Sequence, residues 1–276
     1  MELPLYQVDA FTNRVFGGNP AAVCPLESWL PDETLQAIAL ENNLSETAFF
    51  VARDDGFDLR WFTPKIEIDL CGHATLASAQ VVFEELGYAG ERIGFHTRSG
   101  LLTVERRGDR LVMDFPARPS ERGEVPAELA QALGGRPQEV WRTQRDHLVP
   151  FASEAEVRAL TPDVTALERY EAIGVIATAP ADDPELDFVS RFFAPRAGVP
   201  EDPVTGSAHC VLTPYWAERL GKDELRARQV SERSGDVGCT LRGDRVELAG
   251  RAALYLRGTI ALPSSALSSG SPGERK

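Results

Sequence analysis

The feature that most constrains this chain is an internal repetition at long period. With Gly72 set against Gly206, GHATLASAQVVFEELG runs to Gly87 and GSAHCVLTPYWAERLG runs to Gly221. Ala74, Glu84 and Leu86 then meet Ala208, Glu218 and Leu220. Upstream, RWFTPK (60–65) faces RFFAPR (191–196); downstream, RGDRLVM (107–113) faces RGDRVEL (242–248). Three matches in one order imply a duplicated chain of two pseudo-symmetric domains.

Local patterns assign the parts. RWFTPK and TAFFVAR are rich in β-branched and aromatic residues and read as strands. Leu76, Ala79, Val82, Phe83 and Leu86 recur at helical spacing, with Gly87 as the stop. The second run ends likewise at Gly221, but Pro214 lies inside it and is expected to kink that helix or delay its regular start. LTVERRGDRLVMDF reads as a hairpin, and 117–127 as a bridge between the halves. The domains expected are 1–118 and 119–262, the last strand packing back on the first domain, with 263–276 a disordered tail.

Composition narrows the function. The chain has 276 residues, enough for a sizeable core, and 43% apolar content is ordinary for a soluble domain. A net charge of −13 argues against nucleic acid or an anionic membrane as partner. It leaves room for a small anionic substrate in a pocket of opposite local field. No window reaches the ~18 apolar residues of a membrane span, MELPLYQVDAF does not read as a signal peptide, and the four cysteines form no CxxC. These features point to reduced thiols and a cytoplasmic setting.

The chemistry concentrates at DLCGHAT (69–75) and EDPVTGSAHC (201–210). Each places a glycine before a helical run, and a helix start offers unpaired N–H groups and partial positive charge. Two such starts brought to one cleft would hold a carboxylate or a developing oxyanion, each contributing roughly 0.3–2 kcal/mol. Cys71, His73, His209 and Cys210 lack the spacing of a zinc site, and HExxH, GxSxG and nucleotide-binding glycine loops are absent. No metal and no cofactor are expected.

YQVDAFT (6–12), GGNPAAV (17–23), NLSETAFF (43–50), RWFTPKIEIDLCGHAT (60–75) and EDPVTGSAHC (201–210) together resemble the phenazine-biosynthesis isomerase (PhzF-like) family. The resemblance covers the chain up to about Leu262. It implies an α+β fold of the diaminopimelate epimerase type: two pseudo-symmetric domains, each a mostly antiparallel sheet or barrel around a central helix, with the active site between them. It implies catalysis without pyridoxal phosphate, metal or nucleotide, and a homodimer. Carried over, Glu46 shuttles a proton between substrate carbons, with Asp202 and His73 as its catalytic partners. Ser45, Gly72, Gly206, Ser207 and Asn19 are the substrate-binding candidates, although Asn19 also reads as a turn residue beside the cleft. Diaminopimelate epimerases use a cysteine from each half; Cys71 stands where the first would be, and Asp202-Pro203 where the other is expected. SERSGD (231–236) is similar to a glycine-richer lining stretch, with Ser234 where glycine is common.

A cofactor-independent proton-shift isomerase is therefore the leading expectation. A thiol-dependent amino-acid epimerase using Cys71 is the alternative. The third reading, of another class, is a non-catalytic ligand-binding protein on the same fold.

Overall fold

A computed structural model of the protein describes residues 1–137 and 139–263. The tail expected at 263–276 therefore lies, from residue 264 onward, outside the described residues. In chain order come β1 (Glu2–Ala10), β2 (Asn19–Leu26), α1 (Asp32–Asn42), β3 (Glu46–Arg53), β4 (Gly56–Phe62), β5 (Glu67–Ile68) and α2 (Gly72–Gln80). The hairpin then appears as β7 (Gly100–Arg107) and β8 (Arg110–Pro116), after β6 (Arg92–Thr97). The expected bridge contains a short strand β9 (Glu121–Gly123), followed by α3 (Ala127–Leu133), β10 (Val140–Arg142), β11 (Asp146–Pro150), α4 (Glu154–Ala159) and α5 (Val164–Arg169). The chain continues through β12 (Gly174–Pro180), β13 (Phe188–Ala194), β14 (Val199–Asp202) and α6 (Gly206–Leu220). It closes with β15 (Glu224–Gln229), β16 (Gly235–Arg242), β17 (Arg245–Gly250) and β18 (Ala252–Ala261).

One order of strand pairing occurs twice. β2 runs parallel to β3, β3 antiparallel to β4, and β4 antiparallel to β5 but parallel to β6. In the same order, β11 runs parallel to β12, β12 antiparallel to β13, and β13 antiparallel to β14 but parallel to β15. In each set a helix, α2 or α6, connects the short strand to the parallel one, and an antiparallel meander follows. Two seams join the sets: β8 pairs with β17, and β18 returns to pair with β1. The result is an α+β fold, rich in strands and sparing in helices.

The two helices are central because they are buried on every side over most of their length. Every residue from His73 to Ala79 is buried, as is every residue from Ala208 to Thr213. The sheets enclose both, and the buried hydroxyls of Thr75, Ser78 and Thr213 donate to backbone carbonyls of their own helices. Small side chains at Ala74, Ala77, Ser78 and Ala79 let the strands approach α2 closely.

Both helices depart from the sequence expectation in detail. The first run is α-helical only to Gln80 and continues as a π-helical turn, Val81–Glu85, in which Leu86 N–H donates to Val81 O. Gly87 then adopts φ 66 as the stop. The second helix is unbroken from Gly206 to Leu220, so Pro214 does not delay its start. Pro214 cannot donate to Cys210 O, and that carbonyl accepts instead from Arg118 N–H at 2.9 Å. An outside donor removes the main cost of the proline.

All four cysteines are buried and free. Among the described residues, no helix is long and apolar enough to cross a membrane.

Candidate active site

Glu46 is the first residue of β3. It follows Asn43, which closes α1 in the left-handed region at φ 49, a conformation that asparagine tolerates better than most residues. The turn delivers the Glu46 side chain, 12% exposed, to His73, whose Nε2 lies 3.0 Å from Glu46 Oε2. This is ion-pair distance without hydrogen-bond alignment, and neither atom has a hydrogen-bond partner among the described residues. His73 is the second residue of α2, and its Nδ1 lies 3.5 Å from Cys71 Sγ and 3.2 Å from Asn19 Nδ2. The Asn19 amide is oriented by two oxygens: Nδ2 donates to Asp202 Oδ1 at 2.9 Å and to Val204 O at 3.0 Å. One buried asparagine thus joins His73 to Asp202.

Asp202 ends β14 and is held from three sides. Thr205 Oγ1 donates to its Oδ2 and Asn19 to its Oδ1. Gln229, fully buried at the end of β15, donates to Asp202 O at 2.6 Å and accepts from Thr205 N–H at 2.9 Å. Ser231 Oγ donates to Pro203 O at 2.7 Å. Arg233 pairs with the buried Asp9 at 2.8 Å and donates to Gly17 O and Gly18 O, fixing the loop that carries Asn19. Ser234 takes φ 57, which accounts for the glycine preferred at this position by resemblance. Its carbonyl accepts from Gly18 N–H at 2.6 Å.

These groups surround a cavity of ≈ 490 Å³. Its wall includes Glu46, Cys71, Gly72, His73, Asp202, Gly206 and Ser207, so most of the residues expected from sequence meet at one place. Ser45 and Asn19 are not part of that wall: Ser45 only precedes Glu46, and Asn19 lies behind the wall, bracing His73 and Asp202. The two helix starts face each other closely enough that a Cβ built on either glycine would stand 3.7 Å from the other's Cα. Neither Cys71 nor Thr205, the residues preceding them, caps its helix with a side-chain bond. Both starts therefore keep N–H groups and partial positive charge for the gap.

Thr205, Gln229 and Arg118 were not singled out from sequence. Thr205 had a signal, since aligning Gly72 with Gly206 makes it the counterpart of Cys71. Gln229 had none, because its role depends on where β15 ends.

The electrostatics separate the groups. Burial pushes the Cys71 thiol above its ordinary pKa, and the Glu46 charge adds to this, so the sulfur keeps its proton. Burial opposes charge on His73, yet the Cys71 sulfur and the Glu46 carboxylate carry its pKa well above the usual value. Burial raises the pKa of Asp202, against the pull of His73, Thr205 and Asn19. One ligand atom each from Glu46, Cys71 and His73 lie within 4.8 Å of one another. Nε2 of His73 faces Glu46, while Nδ1 faces Cys71.

Comparison with known proteins gives a consistent result. The model of the family described as phenazine biosynthesis-like protein matches residues 8–258. The chain is 54% identical over 262 residues to a protein of Pseudomonas aeruginosa named an uncharacterized isomerase, covering 95% of this chain and 100% of that one. A crystal structure of a phenazine biosynthesis protein of the PhzF family from Enterococcus faecalis superposes with a TM-score of 0.92 at 46% identity, over 95% of this chain and 100% of that chain. A hydroxyproline epimerase from Agrobacterium vitis shares the fold alone, with a TM-score of 0.60 at 10% identity over 95% and 93% of the two chains.

Proposed function

This chain belongs to the phenazine biosynthesis-like family, and from that premise we propose that it is a cofactor-independent isomerase that moves a proton between carbons of a small carboxylate, with Glu46 as the acid/base. The observation that carries the reading is the Glu46–His73 pair, 3.0 Å apart, in the wall of a cavity that also contains two uncapped helix starts. The repeated strand pairings support dividing the chain into halves, 1–118 and 119–262, with this cavity between them.

The substrate carboxylate sits in the gap between Gly72-His73 and Gly206-Ser207, where N–H groups from both starts reach it. Glu46 takes a proton from a carbon next to an activating carboxylate, carbonyl or enol. The C–H electron pair passes into that neighbour, and the charge that develops on oxygen is met by the preorganised N–H groups. The protonated Glu46 then returns its proton to another carbon of the same intermediate, so no electrons are gained or lost. The imidazolium of His73, 3.0 Å from Glu46, offsets charge in the intermediate. Asp202, braced by Asn19, Thr205 and Gln229, accepts an O–H or N–H of the substrate and fixes its orientation. A positioned acid/base of this kind contributes about 10²–10⁴-fold to rate. The raised pKa of Cys71 counts against a thiolate base.

The test is deuterium uptake from D₂O, followed by mass spectrometry, across small carboxylates, amino acids and cyclic enol acids. The reading expects uptake by one compound class. Compounds that bind in the cavity, none of which exchanges or isomerises, would leave a binding protein in its place.

A further inference from the structure

Pro214 has a consequence for the cavity as well as for the helix. The carbonyl that it leaves free, Cys210 O, is taken by Arg118 N–H at 2.9 Å, which pins the connecting segment against α6. Cys210 lies four residues past Gly206, about 6 Å of helix rise beyond the start that faces the gap. Arg118 and Cys210 both belong to the cavity wall, with Glu46, His73 and Asp202.

The Arg118 side chain is half-buried and unpaired. Arg60, Arg191 and Arg233, the comparable part-buried arginines, each grip a carboxylate at 2.7–2.8 Å. Of the described arginines that are not exposed, Arg118 alone has a guanidinium with no hydrogen bond or ion pair among the described residues. Its backbone is fixed and its five donors are uncommitted, whereas a guanidinium fork matches a carboxylate or phosphate bidentately. Arg145 shares the wall and lies 3.5 Å from the buried Asp146. The positive charge of Arg118 also acts on Asp146, so two guanidiniums stand against one buried carboxylate and leave this part of the wall positive, in a chain whose net charge is −13. Asp69, an acid elsewhere on the wall, is 73% exposed and faces Arg98.

We propose that Arg118 selects a second anionic group, so that the substrate is a small dianion: one carboxylate at the helix starts and a second carboxylate or phosphate on Arg118. Both places line one cavity of ≈ 490 Å³, which suits two acidic groups joined by a short carbon chain. The inference rests on the isomerase reading only for where the first carboxylate sits. It adds that a substrate with one acidic group is the wrong class.

The probes are glutarate, its half-amide and 4-phosphonobutyrate, which share a chain and differ in the second group. Their dissociation constants are measured by NMR titration against wild type, Arg118→Gln, Arg118→Ala and Glu46→Gln, each checked for an unchanged melting temperature. A charge-assisted contact predicts that wild type binds a dianion roughly 10–100-fold more tightly than the half-amide. Whether glutarate or the phosphonate leads identifies the second group. Both Arg118 variants should lose that preference while binding the half-amide as wild type does, and Glu46→Gln should keep it. Equal affinity for acid and half-amide in wild type, absence of any binding, or a preference that survives both Arg118 variants would overturn the proposal. The isomerase reading fails separately, by absence of isotope exchange, and the binding preference would stand without it.

Discussion

The starts of α2 and α6 share one backbone device and differ in everything attached to it. Both begin at a glycine, both lack a side-chain cap, and they face each other across the gap. On the α2 side, titratable groups face the cavity: Glu46, Cys71 and His73. On the α6 side, Asp202 also lines the cavity, but neutral groups hold it in place: Thr205, Gln229 and Asn19. The two histidines show the same division. His73, second in its helix, meets a carboxylate and is raised in pKa. His209, fourth in its helix, donates Nδ1–H to Thr205 O at 2.8 Å, lies against Phe188, and is pushed down to about 4 by burial. Duplicated geometry therefore does not imply duplicated chemistry. A shift of two positions along a helix separates a charged site histidine from a neutral core one.

The largest expected effect separates the two sides directly. Glu46→Gln should lower turnover by about 10²–10⁴-fold with little change in KM, since it removes the proposed proton carrier. Asp202→Asn should act more on KM than on turnover, because it weakens orientation. Steady-state kinetics on the exchanging substrate would show the split, and equal loss of turnover in both variants would break the proposed division.

Next comes the core histidine. The folded-state pKa of His209 is about 4, below the ordinary 6.5, so the unfolded chain binds more protons between those values. The stabilisation is full above pH 6.5 and is lost as pH falls toward about 4, on the order of 3 kcal/mol in all. Denaturant unfolding from pH 7 to 4.5 measures it, and His209→Gln should flatten that slope. Gln229→Leu strands the N–H of Thr205 and the carbonyl of Asp202, for a loss of roughly 1–3 kcal/mol by the same unfolding assay. Ser234→Gly should change stability by less than about 1 kcal/mol, because relief at φ 57 offsets a lost hydroxyl bond to Gln229 O.

Much of the site was legible in the sequence because its parts lie in short ordered motifs. SET, GHAT and DPVTGS give Glu46, His73, Asp202 and the two glycines, and the cavity brings them together. Strands followed from β-branched and aromatic runs, and the helices from apolar spacing. What escaped depends on long-range contacts. Gln229 matters because β15 ends beside the loop after β14, and Arg118 because α6 carries a proline 96 residues later whose freed carbonyl its N–H can take. The π-helical end of α2 was equally hidden, since Val81, Val82 and Phe83 are buried in succession and no single helical face contains all three. Pro214 stands out in the sequence as a helix defect, while its remedy lies outside the helix, in Arg118 N–H.

The roles of the carboxylate and the thiol are separated most directly by comparing Glu46→Gln with Cys71→Ser in D₂O, on whichever compound wild type exchanges. Cys71→Ser should exchange at close to the wild-type rate, because burial raises the pKa of that thiol, and Glu46→Gln should bind the compound without exchanging it. Exchange that survives in Glu46→Gln and disappears in Cys71→Ser would contradict the assignment of Glu46 and make the thiol the base.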